Sequence, residues 1–159
     1  MGHLMIYDSI KEGLRDAESL DDMMAGSVLV WMYTRTKETK YQKACGRIRG
    51  AFEGYPRNPD GGFWHSRSLK GEMWVDGLFM GLMFLTRYGK YIGDAEYCFD
   101  ETVRQLSVIF DRCGKDGTGL LYHAYSADPR TGWAHPITGC SPEVWSESVA
   151  WYAMILVQT

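Results

Sequence analysis

Asp21 and Asp76 occupy matching places in two similar segments, Leu20-Asp21-Asp22-Met23-Met24-Ala25-Gly26 and Val75-Asp76-Gly77-Leu78-Phe79-Met80-Gly81. Each segment runs apolar residue, Asp, four further residues, Gly, and a Tyr stands twelve residues beyond each Asp, at Tyr33 and Tyr88. The spacing defines a repeat about 55 residues long. Two readings fit it. Asp is favoured at a helix N-cap, where its oxygen accepts an orphan backbone N–H, so both residues could simply cap helices. Helical units stacked about an axis would instead bring both carboxylates to one rim, where paired acids do general acid and base chemistry. Asp76 is the stronger candidate, because it opens a predominantly apolar segment between Trp74 and Phe79. A carboxyl partly removed from water keeps its proton to higher pH and can donate it near neutrality. Asp21 is its natural partner, with Asp22 as the alternative.

Other polar residues cluster near these acids in the chain. His65 follows Gly-Gly-Phe-Trp, His123 follows Leu-Leu-Tyr, and His135 precedes Pro136. No HxH or HExxH spacing exists, and catalytic zinc needs three protein ligands, so no metal is expected. Hydrogen bonding to a polar ligand suits His65 and His123, while His135 reads as structural or solvated. Trp64, Trp74, Trp133, Trp145 and Trp151 flank these residues, and an aromatic face stacks well on a sugar ring. Trp31 reads as core. Arg67 and Lys70 could meet an acidic group on a substrate, although lone basic residues in a loop are more often solvated.

The elements that must position these groups are helical almost throughout. Over 95–113 the apolar residues Phe99, Val103, Leu106, Phe110 and Cys113 step by four and three, which predicts one buried stripe. Helices are expected over about 22–36, 38–53 and 73–88. A last one is expected to begin near Pro142, with Val144, Ser148, Trp151 and Ile155 on one side. Two long loops rich in turn formers separate them, Gly54 to Glu72 and Gly114 to Ser141. Short and long connections alternate, which suits helical hairpins stacked side by side with every long loop at one end. Trp145-Ser146-Glu147 weakly echoes Trp74-Val75-Asp76 and hints at a third unit.

At 159 residues and 45% apolar content the chain is expected to form a single domain over 1–159. A net charge of -3 gives no argument for nucleic acid or an anionic membrane. No stretch reaches the roughly 18 apolar residues of a membrane span. Cys45, Cys98, Cys113 and Cys140 lack CxxC spacing and Met1 to Met5 lack an apolar signal core, so reduced thiols in a cytoplasmic protein are expected. No cofactor is implied.

Four ordered motifs carry a family resemblance: Asp60-Gly61-Gly62-Phe63-Trp64-His65, Met73-Trp74-Val75-Asp76-Gly77-Leu78-Phe79-Met80, Gly119-Leu120-Leu121-Tyr122-His123, and Gly139-Cys140-Ser141-Pro142-Glu143-Val144-Trp145 followed by Trp151-Tyr152-Ala153-Met154. The sequence resembles glycoside hydrolase family 105, the unsaturated rhamnogalacturonyl hydrolases, a family that is itself related to the unsaturated glucuronyl hydrolases of family 88. The resemblance implies an all-α fold, the helical hairpins of an (α/α)6 toroid, with about half of the full barrel present. It also implies that Asp76 is the catalytic acid, Asp21 the second active-site aspartate, and His65, Trp74, Met80, His123, Trp145, Glu147 and Trp151 substrate-binding residues. Many family members have Arg at the position of Glu147, so the charge there is reversed.

The implied reaction releases a terminal 4,5-unsaturated uronic acid from pectin-derived oligosaccharides. The acid protonates C4 of the double bond, water adds at C5, and the hemiketal collapses to free the neighbouring sugar. Two other readings stand beside this one. A non-catalytic remnant would keep the rim aromatics as a carbohydrate-binding or helical interaction module. A sugar epimerase on the same toroid would need His as its proton carrier. Half a toroid leaves apolar helix edges exposed, so self-association or low stability is expected.

Overall fold

The computed structural model describes residues 17–159, and the reading of Met1 to Met5 lies outside them. In chain order the described elements are α1 (Asp21–Met24), α2 (Gly26–Thr36), α3 (Thr39–Ala51), β1 (Glu72–Trp74), α4 (Val75–Tyr91), α5 (Ala95–Cys113), β2 (Gly114–Lys115), β3 (Leu120–Leu121), β4 (Ala124–Ser126) and α6 (Ser146–Gln158). Two tight hairpins organise them. Lys37, in the left-handed conformation at φ 57°, turns α2 into α3, and Asp94, also at φ 57°, turns α4 into α5. The long segments then return the chain to the end from which it left, so α1–α2, α4 and α6 run parallel with their N-termini together. α4 is the centre of this row, packing on α1, α2 and α6 as well as on its hairpin partner α5. Its all-round apolar character follows, since Leu78, Phe79, Leu82, Met83, Phe84 and Leu85 are all buried. Gly26 is what lets α2 approach so closely, because a β-carbon there would strike the Phe84 ring and Ile48.

Two helix expectations change. The buried face of α5 runs through Cys98, Glu101, Thr102, Gln105, Leu106, Ile109 and Cys113, while Val103 and Phe110 are more than half exposed. The 54–66 segment claims the polar positions. Arg57 pairs with Glu101 at 2.7 Å, the Gln105 amide donates to the Gly61 carbonyl at 2.8 Å, and the Phe63 N–H donates to the Gln105 side chain at 2.8 Å. Polar residues are thus buried where they are fully hydrogen-bonded, and the apolar stripe is rotated outward. The second change is at α6, which begins at Ser146 instead of near Pro142. The backbone before it is used in strand-like pairing: the His123 N–H donates to the Glu143 carbonyl and the Ser141 N–H to the Ala124 carbonyl, both at 2.8 Å.

The long loops also contain short strands. β1 pairs antiparallel with β4, Trp74 opposite Ala124, and β2 pairs with β3. An isolated bridge joins Ser19 to Ser66. These pairings hold both loops over the N-terminal ends of the parallel helices. Trp31, expected in the core, is 54% exposed, and Val28, Met154, Leu156 and Val157 are also exposed.

Candidate active site

Neither repeated aspartate caps its helix. The N-cap of α1 is Leu20 and that of α4 is Trp74, and neither makes a side-chain cap bond. Asp21 and Asp76 stand instead in the first turns, at the positive end of each helix dipole. The neighbouring acid takes the structural part: Asp22 Oδ2 accepts from the backbone N–H groups of Ser19 at 2.9 Å and Glu18 at 3.1 Å. That separates the two candidates for partner. Asp21 lies 3.9 Å from His65 Nε2, beyond hydrogen-bond distance but within reach of a charge. Its side chain is 53% exposed; the partial burial that remains pushes its carboxyl above the ordinary range, the charges of Asp76 and Asp22 push it further, and His65 opposes them. One oxygen of Asp76, Oδ1, is buried with no hydrogen-bond partner. A buried carboxylate oxygen left open in a helix's first turn is available to a ligand.

Beside the acids lies a shelf of rings. His65 stacks on Trp74 at 4.3 Å between centroids and 3° between planes. Trp74 meets His123 at 5.6 Å, and His123 meets Trp145 edge-on at 5.2 Å. Three of these ring residues, His65, Trp74 and His123, are held by neighbours. Trp74 Nε1 donates to Glu72 at 3.0 Å, and His123 Nδ1 bonds the Ser148 hydroxyl at 2.7 Å. The backbone of His65 is held on three sides: its N–H donates to the Glu72 carbonyl, and its carbonyl accepts from the Leu20 N–H and the Tyr55 hydroxyl. Strand β1 thus locks His65 to Trp74, and Leu20 locks both to α1.

Gly77 completes this corner. A β-carbon there would overlap the His65 imidazole at Nδ1, an atom that is itself buried and without a partner. Glycine inside an apolar helix costs about 1 kcal/mol relative to Ala, so its place next to Asp76 was the available sign of a close approach. Tyr55, Glu72 and Ser148 gave no comparable sign; only the folded loops show that they orient the rings.

The remaining expected residues lie along α4 and α6. Met80, half-buried, stands one turn beyond Asp76. Trp151 stacks on Phe79 at 4.4 Å, and its Nε1 donates to the exposed Glu147 at 3.3 Å. The structure therefore brings Asp21, Asp76, His65, Trp74, His123 and Trp145 to one end, with Trp151 and Glu147 engaged at the α4–α6 contact. Arg67 is occupied elsewhere, donating to the Ala17 carbonyl at 3.0 Å and lying over Tyr55. His135 Nδ1 accepts from its own loop, from Ile137 and Thr138.

Among the described residues no group of three or more His, Cys, Asp or Glu converges as a metal site, and no helix is long and apolar enough to cross a membrane. The four cysteines are free and buried. Burial pushes the Cys45 thiol up to about 12, that of Cys98 up to about 11, and that of Cys113 higher still, which rules these three out as nucleophiles at neutral pH.

A profile of Glycosyl Hydrolase Family 88 matches residues 5–159. The chain belongs to glycosyl hydrolase family 88. Protein Atu3128 of Agrobacterium fabrum is 37% identical to this family 88 chain over 78 residues, 49% of this chain and 33% of that protein. Among solved structures, a glycoside hydrolase from family 105 of C. acetobutylicum superposes with a TM-score of 0.84 at 32% identity, over 90% of this chain and 39% of that one. A possible member of the GH105 family from Salmonella enterica superposes with a TM-score of 0.76 at 22% identity, over 98% and 43%, a likeness of fold alone. The fold is thus that of an α/α toroid, and this family 88 chain spans about two fifths of those structures' length.

Proposed function

We propose that this chain carries the catalytic half-site of a glycosidase that acts on 4,5-unsaturated uronyl oligosaccharides of the pectin-derived, rhamnogalacturonan type. The observation that carries the reading is the open, buried Oδ1 of Asp76 beside an Asp21 whose proton is held above the ordinary carboxylate range. A carboxyl in the first turn of an apolar helix, with one oxygen open to a ligand, is placed to give a proton to carbon.

Asp76 donates that proton to C4 of the C4=C5 bond, leaving positive charge at C5 shared with the ring oxygen. Water adds at C5 and gives its own proton back to a carboxylate of the pair. The hemiketal at C5 opens by breaking its bond to the ring oxygen, and the hemiacetal then exposed at C1 expels the neighbouring sugar with its oxygen. One water is consumed, and the acid is regenerated. Asp21 orients the water, with His65 Nε2 near it as a second polar group. The faces of Trp74 and Trp145 receive the sugar ring, and His123, held by Ser148, donates or accepts at a hydroxyl. The familiar pairing of acid and nucleophile across a glycosidic bond is not needed, because the bond attacked is the vinyl ether.

A panel of unsaturated galacturonyl-rhamnose, an unsaturated glucuronyl disaccharide and a saturated uronyl disaccharide tests the reading by sugar release. Release from an unsaturated substrate only, abolished in Asp76→Asn, is the expected result. Release from the saturated sugar, or unchanged release in Asp76→Asn, would overturn it. Binding of the unsaturated sugars without turnover would instead favour a non-catalytic carbohydrate-binding module.

A further inference from the structure

The family reading leaves the far end of the parallel helices unused, and a cleft of about 760 Å³ lies there. Arg87, Lys90 and Tyr91 line it near the end of α4, whereas Asp76 opens that helix, about 21 Å away at the rise of an α-helix. Arg35 and Lys37 line it from the end of α2. No carboxylate among the described residues lines this cleft, and none of its four cations takes part in an ion pair among those residues. Basic residues near helix C-termini complement the helix dipole, which accounts for their presence in the last turns. It does not account for the rest of the lining. Trp31, 54% exposed, lies in the cleft with Arg35 packed over its ring at 5.8 Å. Ser27, only 2% exposed, lines the same wall with a hydroxyl that has no partner.

Four cations without a carboxylate partner among the described residues, Lys37 and Lys90 lying only over the rings of Tyr33 and Tyr91, concentrated in one cleft of a chain whose net charge is -3, call for an anionic occupant. The cations are spread along two helices, as separate carboxylates recurring along a chain require, and an exposed indole offers a face to a sugar ring. The volume is within the roughly 300–1,000 Å³ of ligand sites. We propose that this cleft is a second saccharide site, which binds an acidic oligosaccharide through its uronate carboxylates, apart from the reaction centre. The inference rests on the carbohydrate reading of the family but needs no turnover.

Saturated oligogalacturonate is the probe, since it lacks the double bond to be hydrated. Titration calorimetry on the 159-residue chain is expected to show binding that weakens with salt and survives in Asp76→Asn. Binding should fall roughly tenfold or more in the Arg87→Gln/Lys90→Gln double variant. The indole fluorescence change should be lost in Trp31→Phe, which keeps an aromatic face. Unchanged affinity in the double variant would overturn the proposal, as would equal binding of a neutral oligomannoside or of pyrophosphate, or no binding at all. Loss of binding in Asp76→Asn would move the ligand to the other end and overturn it too. Hydration of an unsaturated disaccharide, measured separately, distinguishes the two readings: if it fails while oligogalacturonate still binds at the cleft, only the enzymatic one falls.

Discussion

Two residues set the chemistry of the acidic corner in opposite ways, Asp21 by charge and Gly77 by absence of a side chain. The ionised form of Asp21 is disfavoured in the fold chiefly by burial, then by Asp76 and Asp22, against the pull of His65. Its folded pKa therefore lies above the unfolded value near 3.8, so the stabilisation from holding its proton is fully present below that pH. It is lost as pH rises through the raised value. Because the side chain is 53% exposed and water screens its charge, Asp21→Asn is expected to melt only slightly higher than the wild type at neutral pH, with the difference vanishing in acid. A melting difference independent of pH would contradict this. At Gly77 an Ala would displace the His65 ring, and a misplacement of about 1 Å at a catalytic group costs about a hundredfold in rate. Gly77→Ala is thus expected to lose about that much in kcat while keeping its helical circular dichroism; full activity would remove His65 from the mechanism. The repeat made both aspartates legible in the sequence. It did not show that Asp22 holds the turn while Asp21 lies 3.9 Å from His65 Nε2, because that choice rests on backbone N–H groups of Glu18 and Ser19.

The helices were legible where local apolar content decides, by its spacing in α3 and by a run apolar nearly all round in α4, and less so where loops intervene. α5 shows why: its length was evident from the sequence, but its buried face was set by Glu101 and Gln105 reaching the 54–66 loop. No periodicity records such a claim by a distant loop. The same network holds the segment that carries His65. Glu101 is 3% exposed and bonds both Arg57 and Gln105, so Glu101→Ala removes the counter-charge of Arg57 and leaves both groups with only the Gly61 carbonyl as acceptor. A loss of about 2–3 kcal/mol is expected, read as a lower urea midpoint at unchanged m-value. An unchanged midpoint would show that the loop is held by its backbone bonds alone. α6 began later than Pro142 suggested for a related reason, since residues 141–143 bond to the 123–124 strand before the helix can start.

Across the whole molecule, the parallel helices gather the acids and rings at one end and present an apolar edge of α6 to solvent, Met154, Leu156 and Val157. Exposed apolar surface of this kind drives association. Sedimentation velocity is expected to show a weight average that rises with concentration and falls back in Leu156→Ser/Val157→Ser; a sharp monomer boundary at every concentration would contradict it. The stacking of helical hairpins was legible because the repeat and the alternation of loop lengths are properties of the whole chain, and the resemblance to family 105 implied the toroid, whereas the cationic cleft was not legible, since it draws residues from helix ends far apart in sequence. The proton donation assigned to Asp76 is the claim on which the functional account turns. The direct measurement follows the ultraviolet absorbance of the C4=C5 uronate and the release of the neighbouring sugar in one time course, for wild type and Asp76→Asn. In the wild type the absorbance is expected to be lost no later than the sugar appears, and both changes are expected to stop in the variant. Sugar released while the absorbance persists would mean ordinary cleavage at the glycosidic bond, and would contradict the assignment.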